Sequence, residues 1–185
     1  MSETAQQIID LAEEAIATKG YSAFSFREIA ALMGIKSASV HYHFPTKAHL
    51  GLAVAARYRQ RYAQALAQIE AEQPAPQDAL TALVDIYRQQ LGGGERMSVC
   101  MMLAAEIKLL PDDIKKEMEA FYGLNIDWFQ RLVQRRQSDL PDAEARVLAC
   151  QLFALLQGAL LGAKTQGSVE YFEQVVAVLE RLWLR

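Results

Sequence analysis

Between Arg27 and Lys47 the chain gathers polar groups suited to a polyanion: Arg27, Lys36, Ser37, Ser39, His41, Tyr42, His43 and Lys47. Hydroxyls donate to and accept from base edges, whereas ammonium, guanidinium and imidazole groups bind phosphate oxygens. That division assigns Ser37, Ser39 and Tyr42 to bases, Arg27 to the groove entrance, and Lys36, His41, His43 and Lys47 to the backbone. For His43 a second reading stands beside this one, packing against the start of the following helix. The spacing does not suit catalysis. His41, His43 and His49 share no helical face for a metal, and the chain has no glycine-rich phosphate loop and no interpretable Ser/His/Asp set. The expectation is no enzyme, no metal and no cofactor.

Two short helices must hold these groups. Ser25-Phe26-Arg27-Glu28 has the form of a capping box, and Phe26, Ile29, Ala30 and Met33 follow at helical spacing. Gly34 stands where a helix ends in a left-handed residue. A second helix begins near Ser37, with Val40 and Phe44 turned inward and Ser37, Ser39, His41 and Tyr42 outward. Two helices joined by so short a glycine turn make a helix-turn-helix, whose second helix fits a major groove. Pro45 stops it, Thr46 caps the next helix, and Lys47 sits at that helix's N-terminus, where the dipole favours phosphate.

The N-terminal part of the chain resembles the TetR family of transcriptional regulators. The resemblance rests on Ile8, Ala12, Ala15, Gly20-Tyr21, Phe26, Ile29-Ala30, Gly34-Ile35, Ser39-Val40-His41-Tyr42-His43-Phe44 and Lys47. The chain departs from the usual pattern at His41, where Tyr is common, and at Lys36, where Ser or Thr is common. The resemblance implies a DNA-backbone contact for Lys47, a homodimer, and a body cavity whose inducer shifts the fourth helix and so frees the DNA.

The chain has 185 residues, 52% of them hydrophobic, which suits one or two small domains with a real core. Its net charge is −3, but no acidic residue lies between Glu28 and Glu70, where Lys36, Lys47, Arg57, Arg59 and Arg61 stand. A local basic footprint on an acidic protein fits a DNA-binding head; a solvated helix face is the alternative. Cys100 and Cys150 form no disulfide or zinc pattern. The N-terminus lacks the features of a secretory signal, and the apolar run Val147–Ala163 is broken by Gln151 and Gln157. The expected location is the cytoplasm, with no membrane partner.

The remaining sequence reads as helices throughout: an all-α fold of about nine. The first runs from Thr4 to Lys19 behind a Thr4–Gln7 capping box. The fourth covers Lys47 to Glu72, with later ones at Gln77–Leu91, Met97–Leu110, Asp112–Arg136, from after Pro141 to Lys164, and beyond Ser168. Residues 1–50 are expected to form the three-helix DNA-binding domain and 51–185 a ligand-binding and dimerisation bundle. Tyr87, Met101, Met102, Phe121, Tyr122, Trp128, Phe129 and Phe153 are candidate pocket walls, and Glu106, Asn125 and Gln157 candidate polar contacts. A plain core is the other reading of the same residues. The last two helices carry surplus apolar surface, and Leu152, Leu155, Gly158, Ala159, Gly162, Phe172, Val176, Leu179 and Trp183 are the candidate dimer face. A self-contained bundle is the alternative there. Cys150 is expected in the core. Cys100, one turn from Arg96, is either an inert buried thiol or a sensor of oxidants and electrophiles. The functional expectation is a ligand-responsive regulator, most simply a repressor, that binds a palindromic double-stranded operator as a homodimer and is released by a small-molecule inducer. The alternatives are a thiol-sensing repressor of the same fold, or a helical interaction module that ignores DNA.

Overall fold

The computed structural model of the chain describes residues 2–92, 94 and 96–183, with side chains described as far as Leu179. Among these residues there are nine α-helices, one 3-10 turn and no strand. They form two compact units, Met1–Arg61 with Arg96–Phe121, and Tyr62–Glu95 with Tyr122–Arg185.

The first unit holds α1 (Glu3–Lys19), α2 (Phe26–Met33), α3 (Ser37–His43), the start of α4 (Lys47–Glu72), α6 (Val99–Ala105), a 3-10 turn at Ile107–Leu109 and the start of α7 (Asp112–Arg136). Its core is Ile8, Ile9, Ile16, Phe24, Ile29, Val40 and Leu50, each close to fully buried. The N-cap of α1 is Ser2, whose hydroxyl accepts from the Ala5 N–H, so the expected box at Thr4 is replaced by a cap two residues earlier. Helix α6 is shorter than expected. Glu106 leaves the helical region and the chain tightens into the 3-10 turn before Pro111.

The second unit holds the remainder of α4 and α7 together with α5 (Pro76–Leu91), α8 (Asp142–Gln166) and α9 (Val169–Trp183). Pro76 opens α5, where its missing N–H costs nothing. Gly93 and Glu95, between α5 and α6, lie outside the described residues. Leu83, Trp128, Phe129, Leu156, Phe172 and Val176 are sealed in the core. Helix α8 is long and apolar enough to cross a membrane by length and composition, but Leu152, Phe153, Leu156, Ala159, Leu160 and Ala163 pack inward within the unit.

That packing bears on the expected dimer face. Leu152, Ala159, Phe172, Val176 and Leu179 are buried within the chain itself. Gly162 is close-packed against the Tyr171 ring: a Cβ there would lie 2.3 Å from Tyr171 Cε1. Leu155 is half-buried and Gly158 is exposed, with nothing within 4 Å of where a Cβ would stand. The side chain of Trp183 lies outside the described residues. Among the groups that α8 leaves exposed, Val147, Ala154, Gly158 and Leu161 recur at spacings of three, four and seven and so share one face, on which Cys150 and Gln151 are exposed as well.

Candidate nucleic-acid interface

The reader is built from strong local signals. Ser25 Oγ accepts from the Glu28 N–H at 3.2 Å while Glu28 Oε2 accepts from the Ser25 N–H at 3.1 Å, closing the capping box that starts α2. A Ser or Thr cap of this kind is worth about 1 kcal/mol. Gly34 has φ +67°, and the Ile35 N–H reaches back to the Ala30 carbonyl at 3.0 Å. This left-handed stop turns the chain directly into α3. Thr46 Oγ1 accepts from the His49 N–H at 3.2 Å and caps α4, as its place after Pro45 predicts.

Within α3, Val40 is the buried side chain and Phe44 seals the C-terminal end. Lys36, Ser37, Ser39, His41 and Tyr42 are exposed, and Tyr42 is 84% exposed, far beyond what an aromatic ring needs for packing. The His41 ring rests edge-on against Phe26 at 4.7 Å between centroids, and its Nδ1 lies 3.4 Å from the Pro45 carbonyl oxygen. His43 is half-buried with its ring 5.2 Å from that of Tyr42. Arg27 on α2 is exposed. The structure thus brings Arg27, Lys36, Ser37, Ser39, His41 and Tyr42 to the solvent side of one two-helix unit.

The basic window is not a free positive field. Arg57 bonds Asp10 and Glu13, each at 2.6 Å; Arg61 also bonds Glu13, and Arg59 bonds Glu117 at 2.7 Å. These arginines tie α4 to α1 and α7 within the first unit. Lys47 is occupied as well. Its ammonium donates to the Ser22 carbonyl at 3.0 Å and stands 4.6 Å and 5.0 Å from the ring centroids of Phe24 and Tyr21. Burial pushes this ammonium below the usual lysine range, against a smaller upward pull from Glu106 and then Glu28. Arg27 and Lys36 enter no ion pair among the described residues, so they are the cations at the reader that remain for phosphate.

The pocket candidates divide between the two units. In the first, Phe121 is buried with its ring 5.7 Å from Tyr58, Met101 and Met102 are half-buried, and the Glu106 carboxylate is spent on Ser22 rather than lining an apolar wall. In the second, Phe153 touches Tyr122 and Phe129 at ring distances of 5.2 Å and 6.3 Å, Trp128 meets Phe129 edge-on at 5.2 Å, and Asn125 is fully buried. Gln157 Nε2 donates to the Tyr87 hydroxyl at 3.2 Å. The buried Trp128 Nε1 and Gln157 Oε1 meet no hydrogen-bond partner among the described residues, an arrangement that costs stability unless something else pairs with them.

Of the two thiols, one departs from expectation. Cys150 is exposed, not core. Cys100 is buried, and burial pushes its thiol up to about 11, against the smaller opposing effects of hydrogen bonds from Ser98 and Tyr58. A protonated, enclosed thiol is a poor nucleophile.

Comparison with known proteins agrees with this geometry. The family described as bacterial regulatory proteins, tetR family, matches residues 8–54, which cover most of α1, all of α2 and α3 and the start of α4. The HTH-type transcriptional repressor ComR of Escherichia coli (strain K12) is 25% identical over 170 residues, covering 89% of this chain and 81% of that protein. A TetR transcriptional regulator from Legionella pneumophila superposes with a TM-score of 0.87 at 29% identity, covering 98% of each chain. A TetR-family regulator from Agrobacterium tumefaciens does so with a TM-score of 0.88 at 28% identity, covering 95% of this chain and 94% of that one.

Proposed function

We propose, from the match of residues 8–54 to the tetR family and the likeness of the whole chain to solved TetR regulators, that the chain is a TetR-type repressor that binds a palindromic operator as a homodimer and lets go when a small molecule enters its body. Residues 1–50 serve as the DNA-binding head and 51–185 as the effector and dimerisation body. The observation that carries the reading is the outward row of α3: Ser37, Ser39 and Tyr42 stand in solvent on a helix pinned by Val40 and Phe44. A short rigid helix bearing hydroxyls, flanked by unpaired Arg27 and Lys36, has the chemistry to hydrogen-bond base edges while two cations hold the adjacent phosphates.

A second copy supplies the second reading helix. Support comes from α8, where Val147 is 57% and Leu161 51% exposed on the face that also carries Ala154 and Gly158. Small side chains along that face allow two α8 helices to approach closely about a two-fold axis. The effector site is assigned to the aromatic cluster of Tyr87, Trp128, Phe129 and Phe153 with Asn125 and Gln157. The open hydrogen-bonding capacity of Trp128 Nε1 and Gln157 Oε1 favours a largely apolar ligand that offers one acceptor and one donor. Release requires that ligand to bind the DNA-free state more tightly than the DNA-bound one. The test is a gel-shift titration against fragments of the gene's own chromosomal neighbourhood, followed by an effector screen on the fragment retained. A retained fragment freed by an aromatic or apolar compound supports the reading. Retention that no compound in a broad set alters removes the ligand-responsive part and leaves the DNA-binding part.

A further inference from the structure

The turn between α1 and α2 is gripped from two sides. On one, Glu106 Oε2, at the end of α6, accepts from the Ser22 N–H at 2.9 Å and from the Ser22 hydroxyl. On the other, Lys47, at the start of α4, donates to the Ser22 carbonyl at 3.0 Å, with its ammonium against Tyr21 and Phe24. One residue therefore spends its N–H, its hydroxyl and its carbonyl on two different helices. The neighbourhood is closely fitted: a Cβ on Gly20 would lie 2.1 Å from Glu106 Oε1, and one on Gly51 would lie 2.5 Å from Tyr21 Cε2.

The topology gives this contact its consequence. The reader, α2 and α3, is the segment between Ser22 and Lys47, so the Ser22–Lys47 bond closes the two ends of the reader onto each other. Glu106 then ties that closure to α6. The approach to α6 is itself fixed to α1, through the Met97 N–H on the Ala17 carbonyl at 2.9 Å and Arg96 on Glu14 at 3.0 Å. A displacement of α6 must break the Glu106–Ser22 contact or drag the turn along with it.

We propose that Glu106 is a positioning residue for DNA binding: its carboxylate latches the Ser22 turn and, with Lys47 as an internal brace, fixes the stance of α2 and α3. This rests on the DNA-binding reading above. It gives Lys47 a role different from a phosphate contact, and the two roles separate cleanly. A phosphate contact contributes to the slope of log affinity against log salt, whereas a brace lowers affinity and leaves the slope alone.

The experiment uses the full chain as wild type, Glu106→Ala, Glu106→Gln, Lys47→Ala and the Glu106→Ala/Lys47→Ala double variant. Amide hydrogen exchange is read at Ser22, and duplex affinity is read across a salt series on a fragment retained by the wild type. Loss of a charged hydrogen-bond partner is expected to speed Ser22 exchange by about tenfold and to weaken DNA binding by about tenfold in Glu106→Ala and in Lys47→Ala. The salt slope stays that of the wild type, and the double variant falls well short of the product of the single effects because both act through one turn. Glu106→Gln keeps the side-chain shape and one acceptor, guarding against misfolding, and is expected to lie between wild type and Glu106→Ala. Unchanged Ser22 exchange in the folded glutamate variants, or wild-type DNA affinity in them, overturns the latch while leaving the DNA-binding reading intact. A slope in Lys47→Ala reduced by about 0.9 per lost phosphate contact overturns the brace. A wild type that retains no duplex overturns the DNA-binding reading, and the positioning claim with it.

Discussion

Helices α3 and α8 each leave one row of side chains uncovered, and the rows are opposites. On α3 the uncovered side chains are Ser37, Ser39, His41 and Tyr42, hydroxyl and imidazole groups open to water, with only the His41 Nδ1 turned to a backbone partner, the Pro45 carbonyl. On α8 they are chiefly Val147, Ala154, Gly158 and Leu161, small or aliphatic groups, with Gln151 as the one amide among them. The first surface is costly to bury against anything that cannot hydrogen-bond in return, and the second gains only by burial against another apolar face. One suits a hydrated polyanion whose bases carry donors and acceptors. The other suits a second copy of itself.

The comparison can be broken at several points. Putting a charge on the α8 row, Leu161→Asp, should dissociate the dimer in sedimentation at micromolar concentration. With only one reader per particle, operator affinity should fall by about 10²- to 10⁴-fold, since linking two sites multiplies affinity on that scale. A variant still dimeric by sedimentation would move the interface off this row. On the other row, Tyr42→Ala should weaken operator binding by about tenfold per half-site, from lost base or groove contact worth about 1–3 kcal/mol. Circular dichroism should stay unchanged, because the ring is in solvent. Next in size, Lys36→Ala should lower the salt slope by about 0.9 for each phosphate it holds. Arg59→Ala should leave the slope untouched and instead cost on the order of 0.2–1 kcal/mol of stability, the usual range for a partly exposed ion pair. Equal slope changes in both variants would show that paired and unpaired cations are not distinguished at the interface.

The smallest effect concerns the thiols. At pH 8 the exposed Cys150 should react promptly with a thiol reagent, and Cys100 only after denaturation. The folded Cys100 thiol is raised to about 11 from an ordinary value of 9.0, so its contribution to stability is complete below about pH 9 and is lost as pH rises through about 11. Rapid native labelling of Cys100 would restore the thiol-sensing alternative.

Local signals carried much of the fold into the sequence. The Ser25–Glu28 box, Gly34, Pro45 and Thr46 act on neighbouring backbone, so the bounds of α2, α3 and α4 could be read from spacing alone. The inward turn of Val40 and Phe44 followed from the same periodicity. What escaped was set by partners distant in sequence. Lys47 meets a carbonyl 25 residues upstream, and Arg57, Arg59 and Arg61 meet acids on α1 and α7, so an acid-free window overstated the free charge. Glu106 resembled a polar pocket group because nothing near it in sequence reveals Ser22, 84 residues away. On α8 and α9 the apolar residues exceed what one face needs, and periodicity could not tell the inward Phe172 and Val176 from the outward Val147 and Leu161. Gly162 was expected on the dimer face, but the ring beside it is Tyr171 of the same chain.

The central claim is that paired α3 helices read duplex DNA through their exposed row. Selection of binding sequences from a random duplex library by the purified full chain tests it most directly. The account predicts enrichment of an inverted repeat with half-sites about one helical turn apart or a multiple of it, abolished by Tyr42→Ala together with Ser39→Ala. A library that emerges unenriched, or an enriched sequence indifferent to those two substitutions, would contradict it.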